Sequence, residues 1–113
     1  DLITAFDVLE HIPDLRKALD KINLLLTDKG IFMCVIPVYD GLFGRIGRLL
    51  DRDVTHIQKL GRKIWEKMLF DKFLIIKKMG LIRFSIFPTW YLHIASAKLN
   101  DQSQALMIIA RKK

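Results

Sequence analysis

The chain has 113 residues, of which 51% are apolar and 27% charged; this fits one small folded domain and excludes both a disordered chain and a two-domain one. Nineteen Lys and Arg against twelve Asp and Glu give a net charge of +7, which favours anionic partners without choosing among nucleic acid, phosphorylated metabolites and acidic membranes. With a single cysteine the chain excludes an internal disulfide or thiolate metal cluster. No signal peptide is visible and no apolar run approaches the roughly 20 residues of a bilayer-spanning helix, so the sequence predicts a cytoplasmic protein, at most peripheral to a membrane.

Asp1–Phe6 is short, apolar and partly β-branched, the pattern of a buried parallel strand. The chain opens directly on this strand, as a piece of a longer chain would. Residues 7–12 form a turn, and Pro13 with Asp14 starts a helix. On that helix Leu15, Ala18, Leu19, Ile22 and Leu25 or Leu26 share one face, opposite Arg16, Lys17, Asp20 and Lys21. Thr27–Gly30 ends it, and the apolar run Ile31–Val38, with Cys34 inside, forms a second buried strand.

Residues 39–61 are the least regular part, with glycines at 41, 44, 47 and 61. A second helix is predicted from Arg62 to Met79, with Ile64, Trp65, Met68, Leu69, Phe73, Ile76 and Met79 inward and Gly80 as its stop. Leu81–Thr89 then reads as a strand, 90–103 as a loop and Gln104–Arg111 as a last strand. Strands alternating with helices call for a layered α/β sheet. The first two strands should be parallel through a right-handed crossover, and the last two, with no helix between them, antiparallel.

The stretch DLITAFDVLEHIPD at Asp1–Asp14 resembles class I S-adenosylmethionine-dependent methyltransferases of the type 11/12 group. Similar features continue in Leu26-Thr-Asp-Lys-Gly30, in the strand ending Ile36-Pro37, in Asp53-x-Thr55-His56 before a helix, and in Met79-Gly80-Leu81. The resemblance implies that residues 1–113 are the C-terminal half of a Rossmann-like α/β sheet, strands 4-5-7-6 with the last strand antiparallel. The glycine-rich cofactor loop of such enzymes has no counterpart, since no G-x-G occurs in this sequence.

S-adenosylmethionine is the cofactor the resemblance implies, with Phe6 and Asp7, at the end of the first strand, as its contacts. Asp7, Glu10 and His11 fall at i, i+3 and i+4, on one face of a helical turn. Relatives with an E-x-x-E-H motif and a later histidine bind a divalent metal, which would make Asp7, Glu10, His11 and His56 the ligands here. Asp7 is one methylene shorter than the glutamate of that motif, and Asp-x-x-Glu also serves as a capping pair for a short turn. The sequence does not favour the metal.

His56, just beyond the irregular segment, is the candidate general base or substrate-orienting group, or else a histidine at a helix entry bonded to backbone. His93 is assigned no role, and Trp65 is core. In residues 41–52, Leu42, Phe43, Ile46, Leu49 and Leu50 share a helical face largely apart from Arg45, Arg48 and Arg52. Such a segment suits a mobile cover over a small-molecule or lipid-linked acceptor, peripheral membrane contact, or plain packing on the domain. Methyl transfer to such an acceptor is the favoured function. A non-catalytic methyltransferase-like binding module and a nucleic-acid methyltransferase are the alternatives. The basic residues spread over helix faces and the tail, so there is no strong nucleic-acid signal.

Overall fold

The computed structural model describes residues 1–87 and 90–113. It contains β1 (Leu2–Phe6), a 3-10 turn at Leu9–His11, α1 (Leu15–Leu25), β2 (Ile31–Pro37), α2 (Gly41–Leu50), α3 (Arg62–Lys72), β3 (Phe73–Phe87), β4 (Trp90–Ser96), a 3-10 turn at Ala97–Leu99, and β5 (Ala105–Lys112).

The five strands form one sheet in the order β1-β2-β5-β3-β4. β1 and β2 are parallel, with Leu2 opposite Ile31 and Phe6 opposite Val35. All other pairings are antiparallel. The first four strands of that order reproduce the expected 4-5-7-6 arrangement, and β4 is an addition at the far edge.

Alternation of side chains in β2 and β5 divides the interior. Phe32, Cys34 and Ile36 lie opposite Ala110, Ile108 and Leu106, and all six are buried in one cluster with Leu15 and Leu19 of α1 and Trp65 and Leu69 of α3. Val35, Leu81 and Ala105 form a small second cluster with Met107. Asp14 caps α1 as expected, its carboxylate accepting the Lys17 N–H at 3.1 Å. Burial pushes the Cys34 thiol up to about 12, so it is the inert apolar group its place in β2 suggested.

Three expectations change. β1 is only partly buried: Leu2 and Phe6 are 59% and 49% exposed, because among the described residues β1 pairs with β2 alone and forms the sheet edge. The second helix ends at Lys72 rather than Met79. The three-residue spacing of Phe73, Ile76 and Met79 imitates a helix. The segment instead pairs along the whole of β5, from Phe73 opposite Lys112 to Leu81 opposite Ala105, with a bulge between Ile75 and Lys77. Gly80 therefore ends no helix; it lies where an added Cβ would strike the Leu99 carbonyl and Ser103. The predicted loop 90–103 contains β4, whose Ser96 to Leu92 pair with Gly80 to Phe84. The end of the predicted strand, Pro88 and Thr89, lies outside the described residues.

Candidate active-site cleft

The parallel strands β1 and β2 end side by side, and ligands of open α/β sheets bind beyond such carboxyl ends. The Asp7 N–H, just past β1, donates to the Val35 carbonyl at 3.0 Å. Asp7 has φ +52°, a left-handed conformation tolerated by aspartate better than by most residues. Its carboxylate is turned toward β3, where Arg83 Nη1 and Nη2 each donate to one of its oxygens at 2.9 Å.

The Leu9–His11 turn receives the segment that follows α2. The N–H groups of Ile57 and Gln58 both donate to the Glu10 carbonyl, at 3.0 and 2.9 Å, and the Gln58 amide donates to the carbonyls of Ile12 and Pro13. Asp53 shapes the segment internally, accepting the Thr55 N–H at 2.8 Å and its hydroxyl at 2.6 Å. These bonds to Thr55 lower the Asp53 carboxyl pKa. The D-x-T-H pattern is thus an Asx turn that presents His56.

As a result the rings of His11 and His56 lie 4.7 Å apart. His11 Nδ1 is 2.9 Å from the Thr55 carbonyl, which only accepts, so Nδ1 carries hydrogen and Nε2 keeps its lone pair. His56 Nδ1 is 2.9 Å from Asp51 Oδ2, so in the neutral ring Nδ1 donates and Nε2 keeps the lone pair. Nε2 is 3.6 Å from Asp53 Oδ2.

Asp51 Oδ2 also accepts the Tyr39 hydroxyl at 2.6 Å and has Lys59 Nζ at 3.4 Å. Burial works against ionisation of Asp51. Hydrogen bonds from Tyr39, His56 and the Asp53 N–H outweigh it and hold the carboxyl well below its usual range. Burial and the bond to Asp51 push the Tyr39 phenol in the opposite direction, so Tyr39 stays protonated.

Glu10 is 1% exposed, and its Oε2 has no hydrogen-bond partner among the described residues. Desolvation raises its pKa above the ordinary 4.5, opposed by its own backbone N–H. One ligand atom each from Glu10, His11 and His56 lies within 4.8 Å of the others. Three of the four candidate metal ligands are therefore together, while Asp7 faces Arg83.

Two cavities open here. One of about 350 Å³ is lined by Tyr39, Gly47, Leu50, Asp51 and His56, together with Asp7 and Arg83. The other, of about 220 Å³, is lined by Phe6, Val35, Leu81, His93 and Met107, and again by Asp7 and Arg83. The two candidate cofactor contacts and the candidate base thus surround one divided cleft. The sequence reading missed Tyr39, Asp51 and Arg83. Asp51, five residues before His56, was the most accessible of them, since a carboxylate commonly orients a histidine base.

The family model described as a methyltransferase domain matches residues 1–72. No curated protein matches the chain. Among solved structures it is similar to an S-adenosylmethionine-dependent methyltransferase of Thermotoga maritima, at 13% identity and a TM-score of 0.77, covering 100% of this chain and 56% of that one. It is also similar to the small RNA methyltransferase HEN1, at 14% identity and a TM-score of 0.68, covering 100% of this chain and 14% of that one. A protein of Bacillus halodurans C-125 assigned as a methyltransferase aligns at 12% identity and a TM-score of 0.66, over 98% of this chain and 63% of its own. The chain thus spans less than two thirds of the length of each. The match over residues 1–72 shows that the chain belongs to the methyltransferase-domain family, and its sheet has the fold of these methyltransferase structures.

Proposed function

We propose that residues 1–113 are the C-terminal part of a methyltransferase domain that transfers the methyl group of S-adenosylmethionine to a small-molecule or lipid-linked acceptor. The observation that carries this is the cleft at the ends of β1 and β2, where His56, hydrogen-bonded to Asp51, lines one cavity with Asp7, and Phe6 lines the adjoining one. In this reading the unpaired edge of β1 receives the next parallel strand of the whole sheet, which brings the rest of the cofactor site.

The cofactor supplies an electrophilic sulfonium methyl. Phe6 and Asp7, where β1 ends, would form the floor for its methionine part. The acceptor occupies the cavity beside Tyr39 and His56. His56 Nε2 would take the proton of the acceptor O–H or N–H as the acceptor gains the methyl group that S-adenosylmethionine would supply, with S-adenosylhomocysteine as the leaving group. Asp51 holds His56 Nδ1–H and stabilises the resulting imidazolium. Tyr39 fixes Asp51 in turn. Alignment and exclusion of water supply the rest, as suits an in-line displacement.

A second reading rests on the unpartnered Glu10 Oε2. Glu10, His11 and His56 have the spacing and free electron pairs to hold a divalent cation, which would polarise an acceptor oxygen. His56 Nε2 would then be a ligand and unavailable as the base.

Full-length protein incubated with methyl-labelled S-adenosylmethionine and metabolite or lipid extracts should label an acceptor in the presence of chelator. His56→Ala should lower kcat by about 10²- to 10⁴-fold, as expected for loss of a general base, with S-adenosylhomocysteine binding retained. Activity that requires magnesium or manganese would favour the cation reading. Unchanged turnover in His56→Ala would overturn the assignment of the base. Label entering RNA alone would replace the acceptor class.

A further inference from the structure

α2 is fastened to the domain by its glycine face. Gly44 is buried, and a Cβ there would sit 2.6 Å from the Val38 carbonyl oxygen. The N–H groups of Leu42 and Phe43 bond to Gln102, at 3.0 Å to its side chain and 3.2 Å to its carbonyl. With glycines against the domain, the large apolar side chains point away. Leu42, Ile46, Leu49 and Leu50 are 61%, 47%, 85% and 74% exposed, and Val54 just beyond is 94% exposed.

Arg45 and Arg48 lie on α2 beside this strip, and Arg52 follows just beyond its end. All three are exposed, and none is in an ion pair among the described residues. Arg45 and Arg48 border an open recess of about 680 Å³ with Leu49. Packing on this domain does not cover the strip. Two copies laid strip to strip would bring like-charged arginines together, whereas an acidic lipid surface complements both the strip and its basic flank.

We propose that α2 is an interfacial helix that lowers Leu42, Ile46, Leu49 and Leu50 into an anionic bilayer, with Arg45, Arg48 and Arg52 among the headgroup phosphates. Gly47 and Leu50 also line the cavity that holds His56, so the membrane-facing side is the rim of the acceptor site. The inference deepens the methyl-transfer reading and rests on it for one point, that the acceptor is reached from the bilayer. Membrane binding itself is independent of chemistry.

The test is sedimentation of the full-length protein with vesicles of phosphatidylglycerol and phosphatidylcholine, and with phosphatidylcholine alone. Binding to the anionic vesicles is expected, weakening by about fivefold for each of Arg45→Ala and Arg48→Ala and falling further with added salt. Ile46→Glu combined with Leu49→Glu should abolish it with an unchanged melting temperature, since both side chains already face water. Equal binding to both vesicle types, no binding to either, or a dimer in sedimentation velocity that the double glutamate variant dissolves would overturn the proposal. S-adenosylhomocysteine binding by the same double variant separates the two claims. Its absence in the wild type as well would sink the methyl-transfer reading and leave the vesicle result standing.

Discussion

Arg83 and Asp7, 76 positions apart in sequence, meet in two parallel hydrogen bonds of 2.9 Å that join β3 to the end of β1. Both residues line both cavities, so the pair is the partition between the proposed cofactor and acceptor compartments.

The pair is partly exposed, at 31% and 44% of the two side chains, so its own contribution to stability is small, about 1 kcal/mol or less. The backbone of Asp7 is the larger consideration. At φ +52°, Asp7→Asn should be nearly neutral, because asparagine accepts that conformation. Asp7→Ala should lose about 1–2 kcal/mol. Equal losses in denaturant titrations of the two variants would show that the ion pair, not the backbone, dominates.

Glu10 provides a pH test. Its carboxyl pKa is raised by burial from the ordinary 4.5, so the folded state retains a proton that the unfolded chain has released. The associated stability is complete below the unfolded pKa and is lost as pH rises through the folded one. In chelator, Glu10→Gln should therefore stabilise the protein at neutral pH by about 1 kcal/mol, with the gain shrinking in mild acid. A melting temperature that falls in chelator at neutral pH would contradict the origin assigned to the shift.

Much of the fold was legible because its early elements are decided locally. Asp14 before an amphipathic run marks a helix start, and Ile31–Pro37 is too short and apolar for anything but a buried strand. The start of β3 was not legible. Phe73, Ile76 and Met79 fit a helical period, and only the distant β5, with a bulge at that point, makes the segment a strand. β4 was lost in the same way, since its one partner among the described residues is β3. In the cleft, Glu10, His11 and His56 were visible as motif residues. Tyr39, Asp51 and Arg83 were not, because each gains meaning only from a partner brought close by folding.

Arg62 is the buried fastening between α2 and the rest of the domain. Its Nε and backbone N–H bind the two oxygens of Asp40, each at 2.8 Å, and its Nη2 donates to the Ser103 carbonyl at 3.0 Å. Arg62→Met keeps the apolar stem and removes the charge-assisted bonds. It should cost about 2 kcal/mol, seen as a lower midpoint in urea. It should also speed proteolysis within residues 39–61, because Asp40 directly precedes α2. An unchanged midpoint would mean the pair is offset by its desolvation.

The central claim, that Phe6 and Asp7 floor a cofactor site completed by the strands beyond β1, is tested most directly by calorimetric titration of S-adenosylhomocysteine. Saturable micromolar binding to the full-length protein is expected, and none in that range to the isolated 113-residue chain. Micromolar binding to the isolated chain, or no binding to the full-length protein, would contradict it.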